Sequence, residues 1–172
     1  MRVVEVVVSA ALAVVATLAL GTNPALIAAL AVAAVTPPLA RVDLAEHRLP
    51  NRLVLPALAA GVVGLGVGWL VSGVPPLVPL LAAAIYAGLL FVFALFGGMG
   101  MGDVKLAAAL GLAAPTVTIA VLSPLLAFLL GGVAAMFVLI RRGRKARIAF
   151  GPFLLAGYLG ALALSAIGRA MA

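Results

Sequence analysis

Residues 104–140 read VKLAAALGLAAPTVTIAVLSPLLAFLLGGVAAMFVLI, and a single charge, on Lys105, interrupts this apolar stretch. As one helix the stretch would be far longer than the roughly 17–25 apolar residues that cross a bilayer. Pro115 lies in its first half, and a proline inside a helix removes a hydrogen bond and kinks or breaks it. We therefore expect two passes, at about 104–114 and 116–140.

The charges that flank this stretch favour the break. With it, every basic residue except Arg169 falls on one side of the membrane, and an excess of Lys and Arg marks the cytoplasmic side. That side, with the N-terminus, is predicted to be cytoplasmic and the C-terminus external. Without the break, Arg141–Arg147 would lie opposite Arg41–Arg52 and the bias would vanish. The residues on the predicted cytoplasmic side are Arg2, Arg41, Arg48, Arg52, Lys105, Arg141, Arg142, Arg144, Lys145 and Arg147.

Apolar segments of spanning length recur along the rest of the chain. Hydrophobic residues make up 67% of the sequence and charged residues 9%, whereas a soluble domain carries roughly 25% charged residues. We predict an all-α, polytopic transmembrane helix bundle of about seven spans, forming one membrane domain in which residues 1–22 add an N-terminal span to a six-helix core at 23–172. Glu5 interrupts the first apolar run, which favours a retained helix over a signal peptide. The apolar segments are 3–20, 24–42, 53–72, 77–96, 104–114, 116–140 and 148–168.

Several classes of function are excluded by composition. The chain has no cysteine, which removes disulfides, cysteine-ligated zinc and thiol nucleophiles. His47 is the only histidine, whereas a zinc site needs three or four ligands, so no metal or organic cofactor is expected. The net charge is +7, but the basic residues flank apolar segments instead of sharing one face. Anionic lipid headgroups are therefore the expected partner of these charges, and nucleic acid is not.

Two of the four acidic residues are candidates for chemistry. A carboxylate at membrane depth costs about 2.5–3.5 kcal/mol, so it usually has a function or a partner. Asp43 ends the second apolar segment and Asp103 begins the fifth, both on the predicted cytoplasmic side. Two adjacent carboxylates cannot easily both ionise, so one keeps its proton. Such a pair supplies a base for water and an acid for the substrate, as an aspartyl protease requires.

The segment before Asp103 is rich in glycine. Four of the seven residues in Gly97-Gly98-Met99-Gly100-Met101-Gly102-Asp103 are glycines, which would let an extended substrate strand lie close to the backbone. Simpler interpretations remain open at this point. Asp103 could be a helix cap, Asp43 could pair with a nearby arginine, and Lys105 could only set topology.

Three segments resemble, in order along the chain, signatures of the type IV prepilin peptidases and archaeal preflagellin peptidases. Gly100-Met101-Gly102-Asp103-Val104-Lys105-Leu106 looks like the Gly-x-Gly-Asp-x-Lys-Leu signature. Asp43-Leu44 followed by Arg48-Leu49-Pro50-Asn51 resembles the first catalytic aspartate and its downstream segment. Ile148-Ala149-Phe150-Gly151-Pro152-Phe153-Leu154 is similar to Pro-Phe-Gly-Pro-Phe-Leu, with Ala149 replacing the first proline. The resemblance implies that Asp43 and Asp103 are catalytic, and that the site is shaped by Pro50, Asn51, Gly100, Gly102, Lys105, Phe150, Gly151 and Pro152.

The resemblance also implies a substrate and a location. It implies an inner-membrane endopeptidase that cleaves the short basic leader of type IV pilin-like precursors at the cytoplasmic face. The bifunctional bacterial members carry paired Cys-x-x-Cys motifs linked to N-methylation, and this sequence has no cysteine. We therefore expect a peptidase-only form, with prepilin-like proteins and lipids as partners and homo-oligomers left open. The alternatives are a small proton-coupled transporter, in which the aspartates relay protons, and a non-catalytic scaffold of a pilus or secretion machine.

Overall fold

The computed structural model describes residues 3–142 and 148–171 and contains helices but no strand within these ranges. Six of the seven helices are long and apolar enough to cross a membrane. The predicted all-α transmembrane bundle is thus confirmed. The helices are α1 (Val3–Leu20), α2 (Leu26–Glu46), α3 (Asn51–Ser72), α4 (Leu77–Leu95), α5 (Met101–Leu112), α6 (Val117–Arg142) and α7 (Gly151–Met171).

The predicted break at Pro115 is present, since α5 ends at Leu112 and α6 begins at Val117. With 12 residues, however, α5 is only about 18 Å long, whereas the hydrocarbon core of a bilayer is about 30 Å thick. Six helices are therefore long enough to span, where the sequence predicted about seven. The cause is local, because the glycine-rich segment takes up the residues before Met101 and Pro115 follows closely after the last turn.

Two tyrosines satisfy carbonyl groups on either side of this break. Tyr158 of α7 donates from its hydroxyl to the carbonyl oxygen of Ala113, at 2.8 Å. Tyr86 of α4 donates in the same way to the carbonyl oxygen of Ala120. The Ala113 carbonyl lies just beyond the end of α5, and the Ala120 carbonyl has no donor in its own helix because residue 124 is proline, so both need such partners inside a membrane. The break is therefore held within the bundle by its neighbours.

The helices pack closely through small residues, as is common in membrane bundles. A Cβ placed on Gly111 of α5 would lie 2.4 Å from the backbone of Ala83 in α4, and one on Gly157 of α7 would lie 2.4 Å from the carbonyl oxygen of Ser123 in α6. The first helix, α1, packs against α2 and α7. Glu5 of α1 forms an ion pair with Arg41 of α2, at 3.1 Å.

The two ends of the bundle differ in what they carry. Asp43 and Asp103 lie at one end. The other end has a cavity of about 290 Å³, lined by Asn23, Gly68, the α3–α4 link, Leu112 and Pro115. The end of α5 thus forms part of the cavity wall.

The basic residues of the described ranges divide between these ends as predicted. Arg41 and Lys105 are at the aspartate end, and so is Arg141, because α6 runs antiparallel to α7 and α7 begins beside Asp43. Arg169 lies at the opposite end, near Gly21. Which end faces the cytoplasm stays a prediction. Arg2, Arg144, Lys145 and Arg147 lie outside the described residues.

Candidate active site

Asp43 occupies the last turn of α2 and is 4% exposed. Its Oδ2 accepts a hydrogen bond from the backbone N–H of Gly151, at 3.0 Å. Gly151 is the first residue of α7, where backbone N–H groups have no partner within the helix. A Cβ at this position would lie 2.8 Å from Asp43 Oδ2, so the contact requires glycine.

Asp103 occupies the first turn of α5, where the helix dipole favours a negative charge. Its Oδ2 accepts from the N–H of Gly100 at 3.2 Å, and its own N–H donates to the carbonyl oxygen of Gly100 at 3.1 Å. Its Oδ1 is buried and accepts no hydrogen bond from the described residues. One oxygen of Asp103 is thus fixed and the other is available for a proton or a water molecule.

The pKa of Asp103 depends on its burial and on the charge of Asp43. Asp103 lies in α5, outside the six candidate spans, and its pKa is raised to about 6. Burial is the largest cause, the negative charge of Asp43 is the second, and the hydrogen bonds from the Gly100 and Asp103 N–H groups partly offset both. The second cause is the effect expected of a neighbouring carboxylate, which disfavours a further negative charge. The Asp103 carboxyl therefore keeps its proton up to about pH 6.

The link between α2 and α3 ties the two aspartates together. His47 ends α2 in the left-handed region, at φ 51°, and its N–H donates to the carbonyl oxygen of Asp43 at 2.8 Å. Asn51 begins α3, and its Oδ1 accepts from Lys105 Nζ of α5 at 3.0 Å. A Cβ on Gly102 would lie 2.7 Å from Leu49 Cβ. The structure thus brings Asn51, Lys105 and Gly102 to the site as predicted neighbours of the pair.

The remaining predicted residues act at greater distance. Pro50 precedes α3 in an extended conformation and directs the chain into that helix. Pro152 is in the first turn of α7, where the missing N–H has no intrahelical role. The Phe150 ring packs on Phe128 of α6, with centroids 5.4 Å apart. Phe150 and Pro152 flank Gly151 and therefore support its position at the start of α7.

Two features of the site were not foreseen from the sequence. The resemblance implies only that Gly151 shapes the site, and nothing in its segment indicates that its N–H reaches an aspartate 108 positions away. Leu49 was only one member of a motif, yet it contacts both Gly102 and Gly151. Both contacts join segments that are far apart in the sequence, so no pattern among neighbouring residues could predict them. Only the motif itself pointed to these residues.

The described part of the chain contains no group of three or more His, Cys, Asp or Glu side chains that could hold a metal ion. The groups at this end of the bundle that can act as acid and base are two carboxyl groups, each of which accepts a hydrogen bond from one backbone N–H.

Comparison with known families gives one match. A family model described as the type IV leader peptidase family matches residues 25–140, which is more than half of the chain and includes Asp43 and Asp103. The helix α1 and the segment around Gly151 lie outside the matched range. No curated protein and no solved structure matched the chain in the corresponding comparisons.

Proposed function

The chain belongs to the type IV leader peptidase family, and from this we propose that it is a membrane aspartyl endopeptidase with Asp43 and Asp103 as its catalytic pair. The observation that carries the proposal is the pairing itself. Two buried or partly buried carboxyl groups lie at one end of the bundle, each fixed by a glycine N–H, and the charge of one raises the pKa of the other. An aspartyl peptidase needs this shared proton.

The different surroundings of Asp43 and Asp103 suggest which one acts as the base and which as the acid. We assign the proton to Asp103, because burial and the charge of Asp43 raise its pKa to about 6, and we assign the role of the base to Asp43. Asp43 takes a proton from water as the water oxygen attacks the scissile carbonyl, and Asp103 gives its proton to the carbonyl oxygen. When the C–N bond breaks, Asp43 passes its proton to the leaving amine and Asp103 recovers one from the intermediate hydroxyl. Both groups then return to their starting states.

The proposed substrate is a type IV pilin-like precursor with a short basic leader. We place the aspartate end at the cytoplasmic face of the inner membrane, because the basic residues described at that end include Arg41, Lys105 and Arg141. Cleavage there would release the leader on the cytoplasmic side. A transporter or a scaffold remains the alternative if no cleavage is found.

The test is co-expression with a candidate prepilin in a host that lacks its own prepilin peptidase. Asp43→Asn and Asp103→Asn should each abolish the size shift of the precursor, because one carboxyl group cannot serve as both acid and base. Both variants should still insert into the membrane, since each removes a charge and keeps the side-chain shape. Near wild-type processing by either variant would refute the catalytic pair.

The same material tests the proposal that N-methylation is absent. The chain has no cysteine with which to build the Cys-x-x-Cys region of the bifunctional enzymes. Mass spectrometry of the product, made with this chain as the only added enzyme, should find an unmethylated N-terminus. A methylated product would show that these residues support a second activity.

A further inference from the structure

One side chain in the α2–α3 link, Leu49, contacts the backbone beside both aspartates. A Cβ built on Gly151 would lie 3.0 and 3.3 Å from the two terminal methyl carbons of Leu49. A Cβ built on Gly102 would lie 2.7 Å from Leu49 Cβ and 3.1 Å from its carbonyl oxygen. An added Cβ at either glycine would thus lie closer to Leu49 than ordinary van der Waals contact allows. Leu49 therefore fills the space between Gly102 and Gly151.

These two glycines hold the catalytic pair in place. Gly102 immediately precedes Asp103 in α5, and Gly151 donates its N–H to Asp43 Oδ2. A shift of Leu49 would therefore move the backbone next to one aspartate, the hydrogen-bond donor of the other, or both. Its two contacts lie on different helices: α5, which packs mainly against α4 and α3, and α7, which packs mainly against α6 and α1.

The link that carries Leu49 is fixed on both sides. Before it, the His47 N–H bonds to the carbonyl oxygen of Asp43. After it, Pro50 has a restricted φ, and Asn51 accepts from Lys105 of α5. Leu49 is partly buried and packs against the hydrophobic core. The backbone at Leu49 is thus held on both sides, and its side chain is packed against the core.

We propose that Leu49 is a positioning residue whose side chain separates the segments carrying Asp43 and Asp103 and so sets the distance between the two carboxyl groups. Its catalytic consequence rests on the proposed peptidase function, whereas its effect on the separation does not. A leucine that merely filled the core would affect stability alone. A spacer affects the geometry of the pair.

Kinetics distinguish these two roles. Leu49→Ala should lower kcat about 10- to 100-fold with KM nearly unchanged, since a displacement of about 1 Å in a catalytic group costs rate of that order. Leu49→Met, which restores most of the volume, should recover most of kcat. The matched control is Leu58→Ala, because Leu58 is also partly buried against the core but lies in the middle of α3. It should lose stability without losing kcat.

Cross-linking measures the separation without any cleavage. The chain has no cysteine, so an Asp43→Cys/Asp103→Cys variant of the full protein in detergent contains no competing thiol. Its rate of disulfide formation under oxidation should rise several-fold when Leu49→Ala is added, because the two segments close into the vacated space. Adding Leu58→Ala should leave the rate unchanged.

The outcomes separate the two proposals. If the wild type cleaves a prepilin and Leu49→Ala keeps its kcat, the spacer role is overturned and the peptidase stands. If no precursor is cleaved but Leu49→Ala raises the cross-linking rate, the peptidase fails and the spacer stands. A cross-linking rate that is unchanged or lower, or that responds equally to Leu58→Ala, overturns the spacer.

Discussion

Asp43 and Asp103 both accept a hydrogen bond from a glycine N–H, but the glycines are placed very differently. The donor to Asp103 is Gly100, three residues earlier in the same turn. The donor to Asp43 is Gly151, on another helix and 108 positions later. The setting of Asp103 is thus built locally, while that of Asp43 depends on how α7 packs against α2.

The two positions also differ in their helix electrostatics. Asp103 is in the first turn of α5, where the partial positive charge of the helix N-terminus favours a carboxylate. Asp43 is in the last turn of α2, where the dipole disfavours one, and the N-terminus of α7 supplies the compensation through Gly151. A carboxylate whose hydrogen-bond donor lies on another helix is more sensitive to changes in helix packing than one whose donor lies in its own turn.

The largest effect expected from this difference is on cleavage, when each of the two donor glycines is replaced by alanine. Gly151→Ala should reduce cleavage at least about 100-fold, because its Cβ would lie 2.8 Å from Asp43 Oδ2 and displace a catalytic group. Gly100→Ala should reduce it less than about tenfold, because its Cβ would lie 3.4 Å from Asp103 Oδ2, an ordinary contact, and its φ of −86° suits alanine.

The two variants should be compared by kcat/KM on one prepilin at equal amounts of folded protein. Similar losses would mean that Asp43 is no more dependent on distant packing than Asp103. A larger loss in Gly100→Ala would reverse the comparison.

The same difference explains what could be predicted from the sequence. Hydropathy, charge bias and Pro115 were enough for the helices and the break, since each depends on local composition. The motif around Asp103 was recognisable because its turn is contained in a few neighbouring residues. The fifth segment was predicted at 104–114, close to the observed α5, but it was counted as a span although a helix of 12 residues is too short to cross the membrane. The Gly151 donor was not predictable because it depends on the docking of α7.

The second expected effect is on stability and its pH dependence. The pKa of Asp103 is about 6 in the folded protein, against an ordinary value of 3.8, so the folded form binds this proton more tightly than the unfolded form. Stability should therefore fall as pH rises from about 4 to about 6, by about 1–3 kcal/mol at most. Asp103→Asn should remove this pH-dependent fall in stability, because asparagine does not titrate, and its side-chain oxygen can still accept from the Gly100 N–H. It should be more stable than the wild type at pH 7.5 and similar to it at pH 4.

Unfolding of the purified protein in detergent, followed at both pH values, measures this difference. Asp43→Asn serves as the control that leaves Asp103 in place. Because it removes the charge that contributes to the raised pKa of Asp103, it should move the pH-dependent loss of stability to lower pH. Parallel pH curves for Asp103→Asn and the wild type would contradict the raised pKa.

The smallest effect concerns the bond between Lys105 and Asn51, which ties α5 to the α2–α3 link. Both side chains are exposed, and a hydrogen bond in such a place contributes about 1 kcal/mol, or roughly a fivefold change in rate if all of it is expressed in catalysis. Lys105→Met and Asn51→Ala should each lower kcat/KM by no more than that, and the double variant should match the single ones because they remove the same bond. Asp103 keeps its local Gly100 partner in all three, which is why the loss should stay small. A loss of 100-fold or more in Lys105→Met alone, with Asn51→Ala nearly normal, would instead place the lysine ammonium group in the chemistry of the Asp103 carboxyl.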